Sequence, residues 1–290
     1  MPEPAKRQLP GHIAAALAGA GGTADTAGQP WQGRRLDAEV KYHSFEDDDG
    51  GQDAALAAAL AALGSGDGDE AAVVRALASA RVFVPIVAEV AQTTVKRDGL
   101  VSDKEADMAL VTVEAPDGRR TLPVFSSVEA VARWHPDARP VAVYAPRAAL
   151  SAVAEQAQLM VLDPGSERPF VVRRPAVWAL AQQRGWIPSY ADPRVDAVLA
   201  ESLAAAGNPA LLGIAGQPGS GAVGTAAGPA DGGGSGPELR VELTLAPGLD
   251  QAALNTLMGT LQEYWSQNAS FAESVDSVEI ALRTAEHPGG

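Results

Sequence analysis

Cysteine is absent from all 290 residues of this chain. A chain without thiols forms no disulfide bond, thiolate metal site or cysteine nucleophile, and its composition suits a reducing compartment. Long apolar runs are also missing, because no stretch approaches the roughly 18 consecutive apolar residues of a membrane-spanning helix. The short run "IAAALAGAGG" follows Pro10 and Gly11, which makes it a poor signal peptide. We therefore expect a cytoplasmic protein.

Positive charge is scarce as well. The chain has 22 lysines and arginines against 36 aspartates and glutamates, which gives a net charge of −14. A surface this acidic repels phosphate backbones and anionic lipid headgroups. We therefore expect neither direct nucleic-acid binding nor membrane docking. The expected partner is another protein, whose identity and stoichiometry the sequence does not indicate.

Patterns for cofactors and metals are weak. The four histidines lack the spacing of zinc ligands, and no phosphate loop with Gly-Lys-Ser/Thr occurs. The glycine pattern "GSGAVG" at 219–224 has no preceding strand and no following helix, which is typical of a linker. The acidic run at 46–53 lacks the alternating ligand spacing of a calcium loop. The sequence thus predicts no cofactor and no metal.

One short stretch contains Ser126, Ser127, His135 and Asp137, the residue types of a serine hydrolase. However, "SSVE" matches a capping box, in which Ser126 and Glu129 satisfy the first amides of a helix. His135 then lies at the other end of that helix, more than about 10 Å away and beyond hydrogen-bond reach. We therefore expect a structural role for the serines and no enzymatic activity.

Changes in composition predict three regions. Residues 1–52 are polar and glycine-rich and read as a disordered N-terminal arm. Residues 53–187 and 188–290 alternate helical and strand patterns, which predicts two α+β domains, each a mixed β-sheet with packed helices. The second domain is interrupted by a flexible glycine-rich insertion at 216–237.

Local signals mark several element boundaries. Asp53 and Asp192 are predicted helix N-caps, and Gly207 is predicted to end the second of these helices. Gly118 follows Pro-Asp and predicts a hairpin turn. Pro85 lies within an apolar strand pattern, which predicts an edge strand or a bulge.

Aromatic and arginine side chains supply the candidate binding residues. These are Trp31, Arg34, Phe45, Trp134, Arg173 and Arg174. Trp31 and Phe45 would anchor the arm in an apolar groove, and the arginines would bind carboxylates or phosphates. The structural alternatives are a solvated loop for Arg173 and Arg174 and a core position for Trp134.

The motifs "TADTAGQPWQGR", "FEDDDGGQDAALAAAL", "RVFVPIVA" and "LMVLDPG", with the stretch from "DMALVTVEAPDG" to "PVAVY", resemble the SseB family in its actinobacterial form. The family is named for enhanced serine sensitivity. The resemblance runs from about residue 23 to 184 and, more weakly, through a C-terminal SseB domain after 190. It implies no established catalytic residues.

Several functions stay open at this point. The first is a non-enzymatic cytosolic binding or regulatory protein. The second is a sensor of amino acids or related anions, with its site between the two domains. The third, a translation-associated accessory protein, is implied only by the resemblance, since family members are often encoded near ribosomal or initiation-factor genes. An enzyme with an unrecognised site is the remaining alternative.

Overall fold

A computed structural model describes residue 45 and residues 48–89, 107–115, 117–222 and 236–285. The chain divides into two units, Met1–Asp47 and Asp48–Gly290, and every element described here belongs to the second. Trp31 and Arg34 lie outside the described residues, as does Pro116 of the predicted hairpin turn. No helix in the described part of the chain is long and apolar enough to cross a membrane.

Helices and strands alternate through the first part of the larger unit. The helices are α1 (Ala54–Ser65), α2 (Glu70–Leu77), α3 (Val128–Trp134), α4 (Ala145–Ala154) and α5 (Arg174–Ala181). The strands are β1 (Arg81–Glu89), β2 (Asp107–Leu110), β3 (Val113–Glu114), β4 (Arg120–Val124), β5 (Arg139–Tyr144), β6 (Leu159–Leu162) and β7 (Phe170–Val172). This interleaving confirms the predicted α+β class.

Two sheets form from these strands. One is antiparallel with the order β2–β1–β5, and the other has the order β3–β4–β6–β7, in which β4 and β6 run parallel. A single bridge between Phe83 and Phe125 connects the end of β4 to β1. The β3–β4 hairpin turns at Gly118, whose positive φ of 82° and amide bond to the Ala115 carbonyl confirm the predicted turn.

The β3–β4–β6–β7 sheet is apolar on both faces. On the inner face, Leu122 and Met160 are fully buried in the main core, which includes side chains from α1, α2, α4 and α5. Because side chains alternate along a strand, Thr121, Leu159 and Val161 lie on the opposite face. Short strands that are apolar throughout are typical of sheets covered on both sides.

The second part of the larger unit is a smaller α+β layer. Its elements are a 3₁₀ turn (Ser189–Ala191), α6 (Pro193–Ala206), β8 (Leu211–Pro218), β9 (Leu239–Leu245), α7 (Gln251–Gln267), α8 (Ala269–Ser274) and β10 (Val278–Thr284). The sheet order is β8–β9–β10, with β9 and β10 parallel. Leu199 of α6, Leu261 of α7 and Phe271 of α8 pack against Leu243 of β9 in one core.

The predicted helix ends are confirmed. The Asp53 carboxylate accepts the Leu56 amide at 2.9 Å, and the Asp192 carboxylate accepts the Arg194 amide at 2.9 Å. Gly207 ends α6 with a positive φ of 55°, a conformation that glycine adopts without steric cost. These signals are local, since each depends on residues within one helical turn.

The prediction that Pro85 marks an edge or bulge is wrong, because β1 is the central strand of its sheet. Pro85 lies opposite Pro140 of β5. On the other side of β1, Phe83 exchanges backbone hydrogen bonds of 2.7 and 2.8 Å with Phe125. Peptide groups two residues apart on a strand point to the same side, so the Pro85 nitrogen points to the side where Phe83 bonds to Phe125. On that side, β2 pairs with β1 only from Ile86 onward. The missing N–H therefore breaks no ladder bond.

The predicted capping box is also wrong. Ser127, and not Ser126, is the N-cap of α3, and its hydroxyl accepts the Ala130 amide at 3.1 Å. Glu129 is 82% exposed and approaches Arg133 at 3.8 Å on the helix surface. Ser126 instead bonds to Asp163, a residue after β6 that no local pattern connects to it.

Replacing the true cap tests this assignment. We expect Ser127→Ala to lower the free energy of unfolding by about 1 kcal/mol, because one amide of the first turn loses its acceptor. Glu129→Gln should change it by less than about 0.5 kcal/mol, since an exposed side chain holds no cap there. Urea unfolding followed by circular dichroism measures both, and equal losses in the two variants would contradict the assignment.

Candidate functional site

A buried ion cluster joins the two parts of the larger unit. Arg173, at the end of β7, has only 2% of its side chain exposed, and its Nη1 lies 3.5 Å from the Oδ2 of Asp276. Its Nη2 donates to the Gly221 carbonyl at 2.9 Å. A Cβ at Gly221 would overlap both this guanidinium and the Gly236 carbonyl. Only glycine at 221 therefore allows its backbone to lie this close to Arg173 and to the backbone of Gly236. Arg173 therefore ties β7 to two points of the second part, Asp276 and Gly221.

Arg119 completes the cluster from the β3–β4 hairpin. Its Nη1 donates to both carboxylate oxygens of Asp276, at 3.0 and 2.9 Å, and its Nε donates to Asp117 at 2.7 Å. Burial works to lower the pKa of Arg119, but the bonds and charge of Asp276 outweigh it and raise that pKa. The Asp276 carboxylate is 1% exposed and faces two guanidinium groups. The two positive charges offset the desolvation of this acid.

Glu238 is a second buried acid at the same junction. Its side chain accepts the amides of Ser189 at 3.0 Å and Asp276 at 3.2 Å. Burial raises the pKa of Glu238 above its ordinary value, although these amides and the charge of Arg173 counteract part of the rise. The carboxylate therefore fixes the backbone of the second part at the cost of an unfavourable ionisation.

Arg174 makes a separate connection one residue later. Its Nη2 donates to the carbonyls of Ala272 at 2.8 Å and Val275 at 2.6 Å, and its guanidinium lies 5.2 Å from the ring centre of Trp178. The two carbonyls lie at the C-terminal end of α8, where the helix dipole favours a cation. Adjacent arginines thus bind different elements of the second part.

Beside the cluster lies a cleft of about 520 Å³ on the outer face of the β3–β4–β6–β7 sheet. Val113, Leu159, Val161 and Val171 line its floor, and Pro237 borders it from the second part. The outer face of the sheet is thus covered only in part by the rest of the described chain. A cleft of this size and apolar character falls within the range of known ligand sites.

Charged residues border the apolar floor. Glu114, Asp117 and Arg119 line one side of the cleft. Burial tends to raise the pKa of Asp117, but its hydrogen bonds and its charge interaction with Arg119 lower it overall, so this acid is ionised at neutral pH. Because Arg119 is already bound to two carboxylates, the rim carries excess negative charge. Such a rim favours an occupant that is apolar with a positive group.

Residues 56–179 match the family model described as SseB protein N-terminal domain. The match spans β1 to β7 and therefore contains the whole sheet that floors the cleft, while Pro237 and Asp276 lie beyond it. This finding confirms the resemblance for the N-terminal SseB domain; the C-terminal SseB domain and the actinobacterial type stay predictions. The comparison with curated proteins finds no match for this chain.

Three of the predicted binding residues, Trp134, Arg173 and Arg174, are not among the residues that line the cleft. Phe45 is half-buried in the first unit. Within the matched residues 56–179, Trp134 is half-buried 5.3 Å from the ring centre of Phe125, in a small core cluster. Arg173 and Arg174 meet at the junction, where they contact the chain itself. The binding roles of all six residues, including Trp31 and Arg34 outside the described part, stay predictions.

The cleft residues were missed because each strand reads as ordinary core. The available signal was that "LMVL" and "FVV" are apolar without alternation, so one face of each strand needs a second cover. The ion pair between Arg119 and the buried Asp276 carried no such signal, because the two residues are 157 positions apart in the sequence.

Ser126 and Asp163 form the nearest approach to catalytic chemistry. The Ser126 hydroxyl donates to one Asp163 oxygen at 2.7 Å, and the Ser126 amide donates to the other at 2.8 Å. The hydroxyl proton thus points to a carboxylate and not to an imidazole, and the buried Nδ1 of His135 has no partner in the described part of the chain. Both bonds join the turn before α3 to the turn after β6. Among the described residues, no group of three His, Asp or Glu side chains could hold a metal ion.

The pKa of Glu238 predicts how stability depends on pH. Because the folded protein holds this proton more tightly than the unfolded chain, the free energy of unfolding falls as pH rises from the ordinary value of 4.5 through the raised folded pKa. Glu238→Gln mimics the protonated acid and lacks this loss. The variant should therefore gain stability relative to the parent protein across that interval, in urea unfolding at a series of pH values. If the variant instead lost stability relative to the parent protein as pH rises, the bonds from the two amides and the charge of Arg173 would outweigh burial in setting the pKa of Glu238.

Proposed function

We propose that this chain is a non-enzymatic binding protein of the cytoplasm, which holds an apolar segment of another protein in the cleft. The observation that supports this proposal most strongly is the sheet with two apolar faces, of which the described residues leave the outer one partly uncovered. Contiguous exposed apolar surface is rare on soluble proteins except where something binds. Each Å² of apolar surface removed from water contributes about 25 cal/mol, from which the entropic cost of association is subtracted.

The charges of the rim support a basic occupant. Glu114 and the ionised Asp117 border the floor at one side, and the guanidinium of Arg119, which also lines the cleft, is neutralised by Asp117 and Asp276. A peptide with an apolar side chain for the floor and a lysine or arginine for the rim would satisfy both features. The net charge of −14 would also attract such a basic segment over distance.

The hydroxyl groups of the cleft favour binding over catalysis. Thr121 donates to the Arg119 carbonyl at 3.4 Å, and Ser277 accepts the Glu238 amide at 3.1 Å. Among the described residues, neither hydroxyl is bonded to a histidine or lysine that would activate it as a nucleophile, and the carboxylate that Ser277 approaches at 3.4 Å, that of Asp276, is already bound by Arg119. A small polar amino acid such as serine would leave its charged groups facing an apolar floor, so the lining favours a partner's side chain over free serine.

Peptide display tests this function directly. A random peptide library is selected against the full chain and, in parallel, against Val161→Lys, which places a charge on the cleft floor. We expect the parent protein to enrich peptides that combine apolar with basic residues. Their affinity for Val161→Lys should be at least about tenfold weaker, because the added ammonium repels the basic group and must lose water on the floor.

The matched control is Leu150→Lys, which adds the same charge at an exposed position of α4. Its peptide affinity should equal that of the parent protein. A thermal-shift series with serine and other amino acids runs beside it, and we expect no change in melting temperature. If the enriched peptides bind Val161→Lys as tightly as the parent protein, the cleft is not their binding site. If serine raises the melting temperature, the alternative function as an amino-acid sensor is favoured.

A further inference from the structure

The outer edge of β10 is open in the part of the chain that the structure describes. In the β8–β9–β10 sheet, β10 pairs with β9 on one side and with no described strand on the other. It is seven residues long and contains no proline within Val278–Thr284. A long strand edge of this kind presents unpaired peptide groups that another strand can bind.

Backbone bonds show which peptide groups point outward. The Ser277 carbonyl accepts the Leu239 amide at 3.1 Å, and the Ala285 amide donates to the Leu245 carbonyl at 2.8 Å. The odd-numbered residues therefore direct their peptide groups toward β9. Since direction alternates along a strand, residues 278, 280, 282 and 284 direct theirs away from the sheet.

We propose that a second copy of this chain binds at this edge, with the two β10 strands antiparallel and a two-fold axis at Ala281. In this register Ile280 faces Leu282 of the second copy, and Val278 faces its Thr284. All four positions have outward peptide groups, so each of these pairs exchanges two backbone hydrogen bonds. The two three-stranded sheets then become one six-stranded sheet. This inference goes beyond the proposed binding function and is independent of it.

Charge complementarity selects the register. With the axis at Ala281, Glu279 lies opposite Arg283 of the second copy, in a non-hydrogen-bonded pair where side chains are close. Within each copy Glu279 already binds Arg240 at 2.7 Å, and Arg283 binds Glu242 at 3.2 Å. In the dimer, a row of alternating charges would cross four strands, from Arg240 and Glu279 of one copy to Arg283 and Glu242 of the other. The two-fold symmetry forms this row twice.

Neighbouring registers are less favourable. Moving the axis by one residue places either Glu279 or Arg283 opposite Ala281 of the second copy. In both of these registers, Glu279 no longer faces Arg283. Moving it by two residues places two copies of Glu279, or two copies of Arg283, directly opposite each other, and like charges at such positions are destabilising. Only the register centred at Ala281 pairs the opposite charges.

An apolar groove beside β10 fits the same partner. The groove has a volume of about 270 Å³ and is lined by Trp265, Phe271, Val278 and Ile280. Leu282 lies on the same face of the strand and is 53% exposed. In the dimer, Leu282 of the second copy lies opposite Ile280 and covers the open side of this groove. Because the contact is only one strand long, we expect a dissociation constant in the micromolar range.

A single cysteine reports the register. Since the chain has no cysteine, Ala281→Cys introduces one thiol per copy. Its Cα lies about 4.5 Å from its twin in the proposed pair, within the roughly 4.4–6.8 Å that a disulfide needs. Mild oxidation should therefore give a disulfide-linked dimer on non-reducing gels. The control Thr284→Cys places twin thiols about 20 Å apart and should not cross-link.

A charge exchange tests the ion pairs separately. Arg283→Glu and Glu279→Arg each bring like charges together twice per dimer, so each variant alone should dissociate at least about tenfold more readily in sedimentation equilibrium. An equimolar mixture of the two restores both opposite-charge pairs and should form a heterodimer. Arg147→Glu, an exposed change of the same charge on α4, should dimerise like the parent protein.

The outcomes are unambiguous. A dimer that cross-links through position 281 and re-forms in the mixture supports the proposal. A monomer at about 100 μM, far above the expected micromolar dissociation constant, or a dimer that cross-links equally at 284, overturns it. Circular dichroism melts of each variant confirm that the subunit itself remains folded.

Discussion

The arrangement of the larger unit depends on one buried acid between two guanidinium groups. Asp276 receives Arg119 from the β3–β4 hairpin and approaches Arg173 from the end of β7, while its own amide donates to Glu238. Taking these charges out of water costs several kcal/mol per ion, so the cluster contributes little net stability. Removing one partner would leave a buried charge without its counterion, so the cluster favours the observed placement of the second part.

This constraint explains the cleft. The same contacts that hold the second part over one side of the β3–β4–β6–β7 sheet leave the floor at Val161 and Val171 open. A sheet with apolar side chains on both faces needs a second cover, and the described residues supply only part of it. The proposed binding function is based on that incomplete cover, and the proposed basic group of the occupant is based on the acidic rim.

Local chemistry was readable from the sequence, and long-range pairing was not. Asp53, Asp192 and Gly118 were predicted correctly because each acts on amides or carbonyls a few residues away. The α+β class followed from the alternation of helical and strand periodicities. Ser126 was assigned to the nearest helix because its true partner, Asp163, is 37 residues distant. The contacts of the junction cluster with Asp276 involve separations above 100 residues, which no periodicity in a single sequence encodes.

The most direct test of the constraint is hydrogen exchange in Asp276→Asn, which keeps the shape of the side chain and removes its charge. We predict that the junction amides of Ser189 and Gly221 exchange at least about a hundredfold faster, because Arg173 and Arg119 lose their shared counterion and the junction opens. The core amides of Met160 in β6 and Val241 in β9 should keep their protection. Unchanged exchange at Ser189 and Gly221 would show that the two parts hold together without the cluster, and would contradict this account.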